Sequence, residues 1–295
     1  MIKRLTLTKG QIAIMKRIAV IPNVTKDDNF LNTRRIIDFL HGKAEIYADE
    51  KYAEQELPVN YVPYKELFEN ADYMIALGGD GTMLQIASQC AEKDIPVLGI
   101  NLGKVGFLTE IELENIEAAL TKLVEGDFHI EKRMLVRADI KKENGEHIHC
   151  HALNDIVTAK NAGTKLINLE LYTDGELVNN YIADGIIIAT PTGSTGYSIS
   201  AGGPVADPSM ELYIATPICP HMLSVRSAVL SSEKEIVIKL NEKYLNNSAV
   251  ITADGDVQCE ITPSDEVRIT KSKYRFSIIK IGNSSFYDTL LKKLS

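Results

Sequence analysis

The sequence predicts an α/β N-terminal domain on a Rossmann-like parallel sheet, a mostly-β, sandwich-like C-terminal domain, and a C-terminal helix that returns to the first domain. Three observations carry this architecture. From Lys16 to about Gly126, β-rich apolar runs (RIAVIP, ADYMIALG, IPVLGIN) alternate with helical stretches (NTRRIIDFLHG, TMLQIASQCAEKD, ELENIEAALTKLVEG), which is the pattern of crossover helices on a parallel sheet. Beyond Phe128 the pattern becomes short strands of period two with turn punctuation. The closing SFYDTLLKKLS is amphipathic at helical spacing.

Residues 1–14, MIKRLTLTKGQIAI, precede MKRIAVIPN, which reads as the opening strand of an α/β domain; they are expected to be an upstream-start artefact or a tail. Residues 15–127 then form the α/β domain, 128–281 the β-rich domain and 282–295 the last helix. In the β-rich part, ENGE and TDGE are expected hairpin turns, because Asn-Gly and Asp-Gly tolerate the positive φ that such turns need. The strands there are MLVRADIKK, HIHCHALNDIVT, INLELYT, ELVNNYI, GIIIAT, EIVIKL, SAVITADGD, DEVRIT and YRFSIIKIG. Without a repeat, low-complexity tract or Pro-rich linker, the two domains are expected to share a firm interface with a cleft.

At 295 residues and 45% hydrophobic content, two cores are affordable in size. A formal charge of −8 argues against general nucleic-acid binding, which needs a basic surface to displace counterions. Cysteines at 90, 150, 219 and 259 are too scattered for a CxxC pair, no secretory h-region opens the chain, and no run of about 18 apolar residues appears. A cytoplasmic protein with no membrane partner is expected.

LGGDGT (77–82) falls where a strand hands over to a helix, at the ligand-binding end of a parallel sheet. Gly78, Gly79, Gly81 and Thr82 suit an anion-binding turn of backbone N–H groups. Asp80 does not suit phosphate, unless it orients and deprotonates a hydroxyl that attacks the phosphoryl group. A tight turn with Asp80 capping its helix fits the spacing equally well. Neither GxGxxG nor GxxxxGK[ST] is present, which disfavours a dehydrogenase-type dinucleotide site.

A second cluster, DGIIIATPTGSTGYSISAGGP (184–204), holds Thr192, Ser194, Thr195, Tyr197, Ser198 and Ser200: hydroxyls for a polar ligand, or a Ser/Thr-rich loop with local turns. Asn154 and Asp155 follow an apolar strand and suit an adenine or ribose edge, or a cap. His147, His149 and His151 alternate on one strand face and are expected to be solvated, not a metal site.

Together LGGDGT, NLGKVGFLTE (101–110), ALND (152–155), YIADGIIIATPTGSTGYSISAGGPV (181–205), TPICPH (216–221) and TADGD (252–256) resemble the NAD kinase family over nearly the whole chain. The resemblance implies transfer of the terminal phosphoryl of ATP, or in some members of polyphosphate, to the adenosine ribose 2′-hydroxyl of NAD, giving NADP. It implies a divalent metal, usually Mg²⁺ brought with ATP and with no protein-only site, and a homo-oligomer, a dimer or tetramer. By position, Asp80 is similar to the catalytic base, and Gly79, Gly81 and Thr82 to the phosphate turn; Gly103 and Phe107 lie in the flanking loop. Asn154 and Asp155 match the adenosine-contacting pair, Lys165 a basic contact and Asp184 the acidic residue of the xDG element. Thr195, Gly196, Tyr197, Ser198, Ile199 and Ser200 match the strip lining the dinucleotide. Ile182, Cys219 and Asp256 stand at contact positions where relatives carry other side chains, which bears on NAD against NADH. A lipid or sugar kinase sharing GGDGT and a non-catalytic NAD(P)-binding sensor are the alternatives.

Overall fold

Runs such as VLGIN and GIIIA, buried at every position, need cover on both faces of their sheets. The computed structural model, which describes residues 5–8, 11–103, 106–161, 166–222, 225–241, 248–282 and 285–294, provides it separately in two units, residues 1–132 with 276–295 and residues 133–275.

In the first unit the expected tail pairs as an antiparallel ribbon, β1 (Leu5–Thr8) with β2 (Gln11–Ile14). The chain continues through β3 (Lys16–Pro22), α1 (Leu31–Leu40), β4 (Ala44–Asp49), β5 (Asn60–Val62), α2 (Tyr64–Asn70), β6 (Tyr73–Gly78), α3 (Asp80–Glu92), β7 (Val97–Asn101) and α4 (Ile116–Glu125). The strands β5-β4-β3-β6-β7 are all parallel. β4, β5 and α2 were not singled out by the sequence pattern. After β3 the chain builds outward to β4 and β5, then returns to the other side of β3 for β6. The topological switch point therefore lies at the carboxyl ends of β3 and β6, where Pro22 pairs with Leu77 and the Asn23 N–H donates to the Leu77 carbonyl at 2.8 Å. Ile18, Val20, Ile75, Leu77, Leu98 and Ile100 pack with Ile36, Ile37, Leu40, Ile116 and Leu120 of the helices.

Asp27 anchors α1 from ahead of it. Its Oδ1 accepts from the Asn32 N–H at 2.9 Å, and its Oδ2 from the Thr33 N–H at 2.9 Å and hydroxyl at 2.6 Å. The carboxylate thus satisfies N–H groups that the first helical turn leaves without intrahelical acceptors.

The second unit contains most of β8 (His129–Lys141), then β9 (His147–Ala152), β10 (Asp155–Lys160), β11 (Ile167–Thr173), β12 (Glu176–Ala183), β13 (Gly185–Ala189), α5 (Tyr197–Ser200), β14 (Leu212–Ile218), β15 (Ala228–Ser231), β16 (Ile236–Leu240), β17 (Ala249–Ala253), β18 (Asp256–Ile261) and β19 (Glu266–Lys280) up to Arg275. One antiparallel sheet runs β15-β14-β13-β10-β17-β18; β12-β11-β16-β19 form another, and β8 pairs with β9. A single core joins the inward faces, with Val136, Leu169, Tyr181, Ile186, Tyr213, Ile238, Ile251 and Ile269 all buried. On its other face the six-stranded sheet buries Val157, Ile187, Ile214 and Ile218, which is why GIIIA is apolar throughout. Both expected hairpin turns are present, with Gly145 at φ +86 and Asp174–Gly175 at φ +48 and +82. DEVRIT and YRFSIIKIG form one strand, β19, and β14 and β15 are additional to the expected strands.

From Phe276 onward β19 belongs to the first unit, where Ile278 pairs in parallel with Val97, and α6 (Phe286–Leu294) follows in the same unit. Among the described residues no helix is long and apolar enough to cross a membrane.

Asp27→Ala is expected to lower the unfolding free energy by about 1–2 kcal/mol, the usual cost of a lost helix cap, seen as a lower urea midpoint at unchanged slope. An unchanged midpoint contradicts the anchoring role.

Candidate functional site

The glycine turn closes the carboxyl end of β6 and opens α3. Gly79 is the N-cap, in extended conformation, and the Thr82 and Met83 N–H groups donate back to its carbonyl at 3.0 and 3.4 Å. The amides of Gly79 to Gly81 therefore stand at the positive end of the helix dipole, without the intrahelical acceptors available further along. The four expected phosphate residues divide here. Gly78 is buried, and a Cβ on it would overlap the Thr82 side chain; Thr82 is itself 3% exposed and accepts from the Asn23 amide at 3.3 Å. Gly78 and Thr82 hold the turn together from inside, while Gly79 and Gly81 lie nearer its surface.

A residue that sequence reasoning passed over joins them. The Lys26 ammonium stands 3.5 Å from where a Cβ on Gly79 would be, carried by the loop after β3 whose Lys26 and Asp27 N–H groups both donate to the Asn23 carbonyl. A cation beside helix-end amides at the switch point is an arrangement suited to an anion.

Asp80 is the first residue of α3, and Gly79, not Asp80, holds the N-cap position. The Asp80 carboxylate reaches across to the segment after β7, accepting from the Phe107 N–H at 2.8 Å, the Leu108 N–H at 2.9 Å and, at 3.4 Å, the Thr109 hydroxyl. Gly106 makes this approach possible: a Cβ there would overlap the carboxylate. The sequence pattern contained Gly106 in NLGKVGFLTE without indicating this use. Phe107 packs its ring 5.7 Å from that of Phe286 in α6, with the Lys293 ammonium 4.7 Å from its centroid. Gly103 is exposed in the same segment, and its carbonyl accepts from the Asn101 amide at 2.7 Å.

In the second unit, Asn154, Asp155 and Tyr197 line one cavity of about 300 Å³ with Val157, Thr252, Asp254 and Gly255. Gly196 lies against the Asn154 amide, at 3.4 Å from a Cβ position to Nδ2. Gly193 is needed because a Cβ there would overlap the Asn154 backbone. Most hydroxyls of the second cluster serve the fold. Ser194 donates to the Pro191 carbonyl at 2.6 Å and accepts from the Ala206 N–H at 3.0 Å, Thr195 donates to the Thr192 carbonyl at 3.2 Å, and Ser198, fully buried, pairs with Thr216 at 2.9 Å. Ser198 is fully buried with its hydroxyl bonded internally, whereas Thr195 is half-buried and its hydroxyl donates within the loop. Tyr197 and Ser200 are exposed and Ile199 half-buried.

Of the other expected contacts, Asp184 and Cys219 sit at the opposite end of β10 and β13, beside Gly185, whereas Asp256 stays at the Asp155 end. Asp155 pairs with Ala189, whereas Asp184 precedes Gly185, the residue opposite Ala159. Asp184 forms an ion pair with Lys160 at 2.7 Å. Ile182 is 36% exposed and its carbonyl accepts from the His221 N–H; Cys219 is exposed in left-handed conformation, φ +45. Asp256 is exposed at the start of β18. Lys165 lies outside the described residues. His147 and His149 are exposed on β9, and the His151 ring packs edge-on to Tyr274 at 5.3 Å.

Burial raises the Asp155 carboxyl to about 7, with the neighbouring Asp254 carboxylate adding to the effect. Burial also raises Asp254, to about 6, against three backbone N–H bonds that pull it down and with Asp256 pushing up. Among the described residues no group of three or more His, Cys, Asp or Glu side chains is placed to hold a metal ion.

Two family models match, the ATP-NAD kinase N-terminal domain over residues 25–128 and the ATP-NAD kinase C-terminal domain over residues 153–281. The NAD kinase of Caldanaerobacter subterraneus subsp. tengcongensis is 41% identical, over 95% of this chain and 99% of its own. The chain belongs to the NAD kinase family. Its fold matches yeast NADH kinase solved with NADH, at a TM-score of 0.87 and 25% identity over 95% of this chain and 87% of that one. It also matches an NAD kinase from Archaeoglobus fulgidus solved with ATP, at 0.71 and 31% over 94% and 98%. Family membership sets aside the lipid and sugar kinases that share GGDGT.

Gly106→Ala is expected to displace the Asp80 carboxylate and lower NADP formation by at least about tenfold, a one-ångström misplacement of a reacting group being enough. Circular dichroism is expected to stay unchanged, and wild-type turnover refutes the packing argument. Asp155 supplies a pH test. Its folded pKa lies above the unfolded value, so the native state holds more protons between about pH 4 and pH 7 and stability falls as pH rises through that window. Asp155→Asn, which carries no charge to bury, is expected to exceed wild-type stability at pH 8, with the gap closing towards pH 5; thermal melts at both pH values decide.

Proposed function

We propose that the chain transfers the terminal phosphoryl group of ATP to the 2′-hydroxyl of the adenosine ribose of NAD, giving NADP and ADP. The observation that carries this reading is the Asp80 carboxylate, pinned by two backbone N–H bonds beside an anion-binding turn. The ATP-bound archaeal neighbour and the NADH-bound yeast neighbour support the two substrate classes.

The amides of Gly79 to Gly81 and the Lys26 ammonium take the donor's phosphate oxygens, supplying the positive potential that the transferring group needs. Asp80 orients the attacking hydroxyl and accepts its proton as the new P–O bond forms and the bond to ADP breaks. Asn154 and Asp155, with the Tyr197 ring, offer hydrogen bonds and a flat face to the neutral adenosine end of NAD. The reading includes a divalent ion, Mg²⁺, brought with the nucleotide. When bound it neutralises phosphate charge.

A homo-oligomer, dimer or tetramer, accords with Ile182, Asp184 and Cys219 standing at the strand ends away from Asp155: a second copy gives those contacts a ligand to meet. A cytoplasmic setting accords with four free cysteines.

The test is NADP formation from NAD, ATP and Mg²⁺, with polyphosphate and NADH as parallel arms. Asp80→Asn is expected to bind NAD at near wild-type affinity while turnover falls by ~10² to 10⁴. Binding of NAD without any NADP formation by the wild type points to a sensor and overturns the reading.

A further inference from the structure

Asp254 occupies an unusual place. It is the first central residue of the β17–β18 turn, at φ +48 followed by Gly255 at φ +91, the left-handed pair of a two-residue hairpin. Its side chain does not face solvent as turn carboxylates commonly do. Oδ2 accepts from the Leu153 N–H at 2.7 Å, and Oδ1 from the Asn154 N–H at 2.7 Å and the Asp155 N–H at 3.1 Å. Its own N–H donates to the Asp155 carbonyl at 3.0 Å. Three successive amides curled around one carboxylate form an anion nest whose anion is part of the chain.

The corner between β9 and β10 is thus held from two sides. Asp254 takes its N–H groups, while the Thr190 hydroxyl donates to the Leu153 carbonyl at 2.5 Å and the Thr190 N–H to the Asn154 carbonyl at 2.8 Å. Nothing is left for the backbone of Asn154 and Asp155 to do except present their side chains to the cavity that Asp254 also lines.

We propose that Asp254 is a positioning residue of the nucleotide site: it fixes the Leu153–Asp155 backbone so that the Asn154 amide and the Asp155 carboxylate meet the adenosine part of NAD. This rests on the NAD kinase reading for the identity of the ligand. Asp254 also sets the charge that Asp155 feels. Asp155 shares the cavity with Asp254 from the β17–β18 turn and Tyr197 from α5, and Asp256 lies next on β18. No cation is among these facing groups, so removing the Asp254 charge makes Asp155 easier to ionise.

The experiment measures NAD affinity by titration calorimetry from pH 5 to 9 for the wild type, Asp254→Asn and Asp254→Ala, beside thermal melts and NADP formation. Asp254→Asn keeps the shape and an acceptor oxygen and so remains folded even if Asp254→Ala does not. Its NAD affinity is expected to fall roughly 3- to 10-fold at pH 8, and that of folded Asp254→Ala by roughly 30-fold or more. Wild-type affinity is expected to weaken below about pH 7, where Asp155 takes up its proton, and this midpoint is expected to move to lower pH in Asp254→Asn. Wild-type NAD affinity in Asp254→Asn, or a loss with an unmoved pH midpoint, overturns the positioning role and leaves the kinase reading intact. A wild type that binds NAD with this pH profile but makes no NADP overturns the kinase reading and leaves the positioning role intact.

Discussion

The position of one carboxylate governs the first unit. Asp80 sits at the start of α3, where its own helix dipole stabilises negative charge, and it takes two N–H bonds from a segment that only a glycine at 106 lets come so near. These bonds hold the carboxylate still. In a loose transition state the attacking hydroxyl keeps its proton until late, so an acceptor fixed in the right place contributes more than one that wanders. Everything else at the switch point supports that placement: Gly78 and Thr82 lock the turn from below, Asn23 ties it to β3, and Phe107 is pinned by α6.

The second unit solves the same problem with opposite chemistry. There a carboxylate, Asp254, is spent on backbone amides, and a second, Asp155, is kept buried beside it at a cost in stability. Buried like charges are retained in a fold only where another requirement overrides the repulsion. Presenting an acceptor to ribose hydroxyls or an exocyclic amine is such a requirement, because a missing partner inside a site built for hydrogen bonds is discriminated far more sharply than a missing methylene.

Much of this was legible in the sequence, and the rest was not for identifiable reasons. Periodicity gave the parallel unit, the sandwich and the closing helix, since burial on one or both faces writes itself into apolar spacing. Asn154 and Asp155 were visible as polar residues ending an apolar strand. In the hydroxyl-rich block the internal bonds of Ser198 to Thr216 and of Thr195 to the Thr192 carbonyl were not legible, because composition does not distinguish a hydroxyl that faces a ligand from one bonded within the fold. Lys26, Gly106 and Asp254 were invisible as functional residues because their roles arise from approaches between distant parts of the chain. Asp254 lies 99 to 101 residues from the amides it holds, and no local pattern encodes such a meeting.

A chain with a formal charge of −8 binds polyanionic nucleotides through local fields, not through its net charge. Exposed charges farther away than about 8–10 Å are largely screened in physiological salt, so the acidic surface matters little to a phosphate that has reached the glycine turn. What matters there is the set of helix-end amides and Lys26. The reverse holds at the second cavity, where Asp155, Asp254 and the adjacent Asp256 make an unfavourable place for a diphosphate. A dinucleotide entering phosphate-first meets like charge, whereas one entering adenosine-first meets acceptors for its neutral donors. On the proposed reading the acidic residues therefore favour one orientation of the ligand, which is the requirement a kinase specific for one ribose hydroxyl among several has to meet.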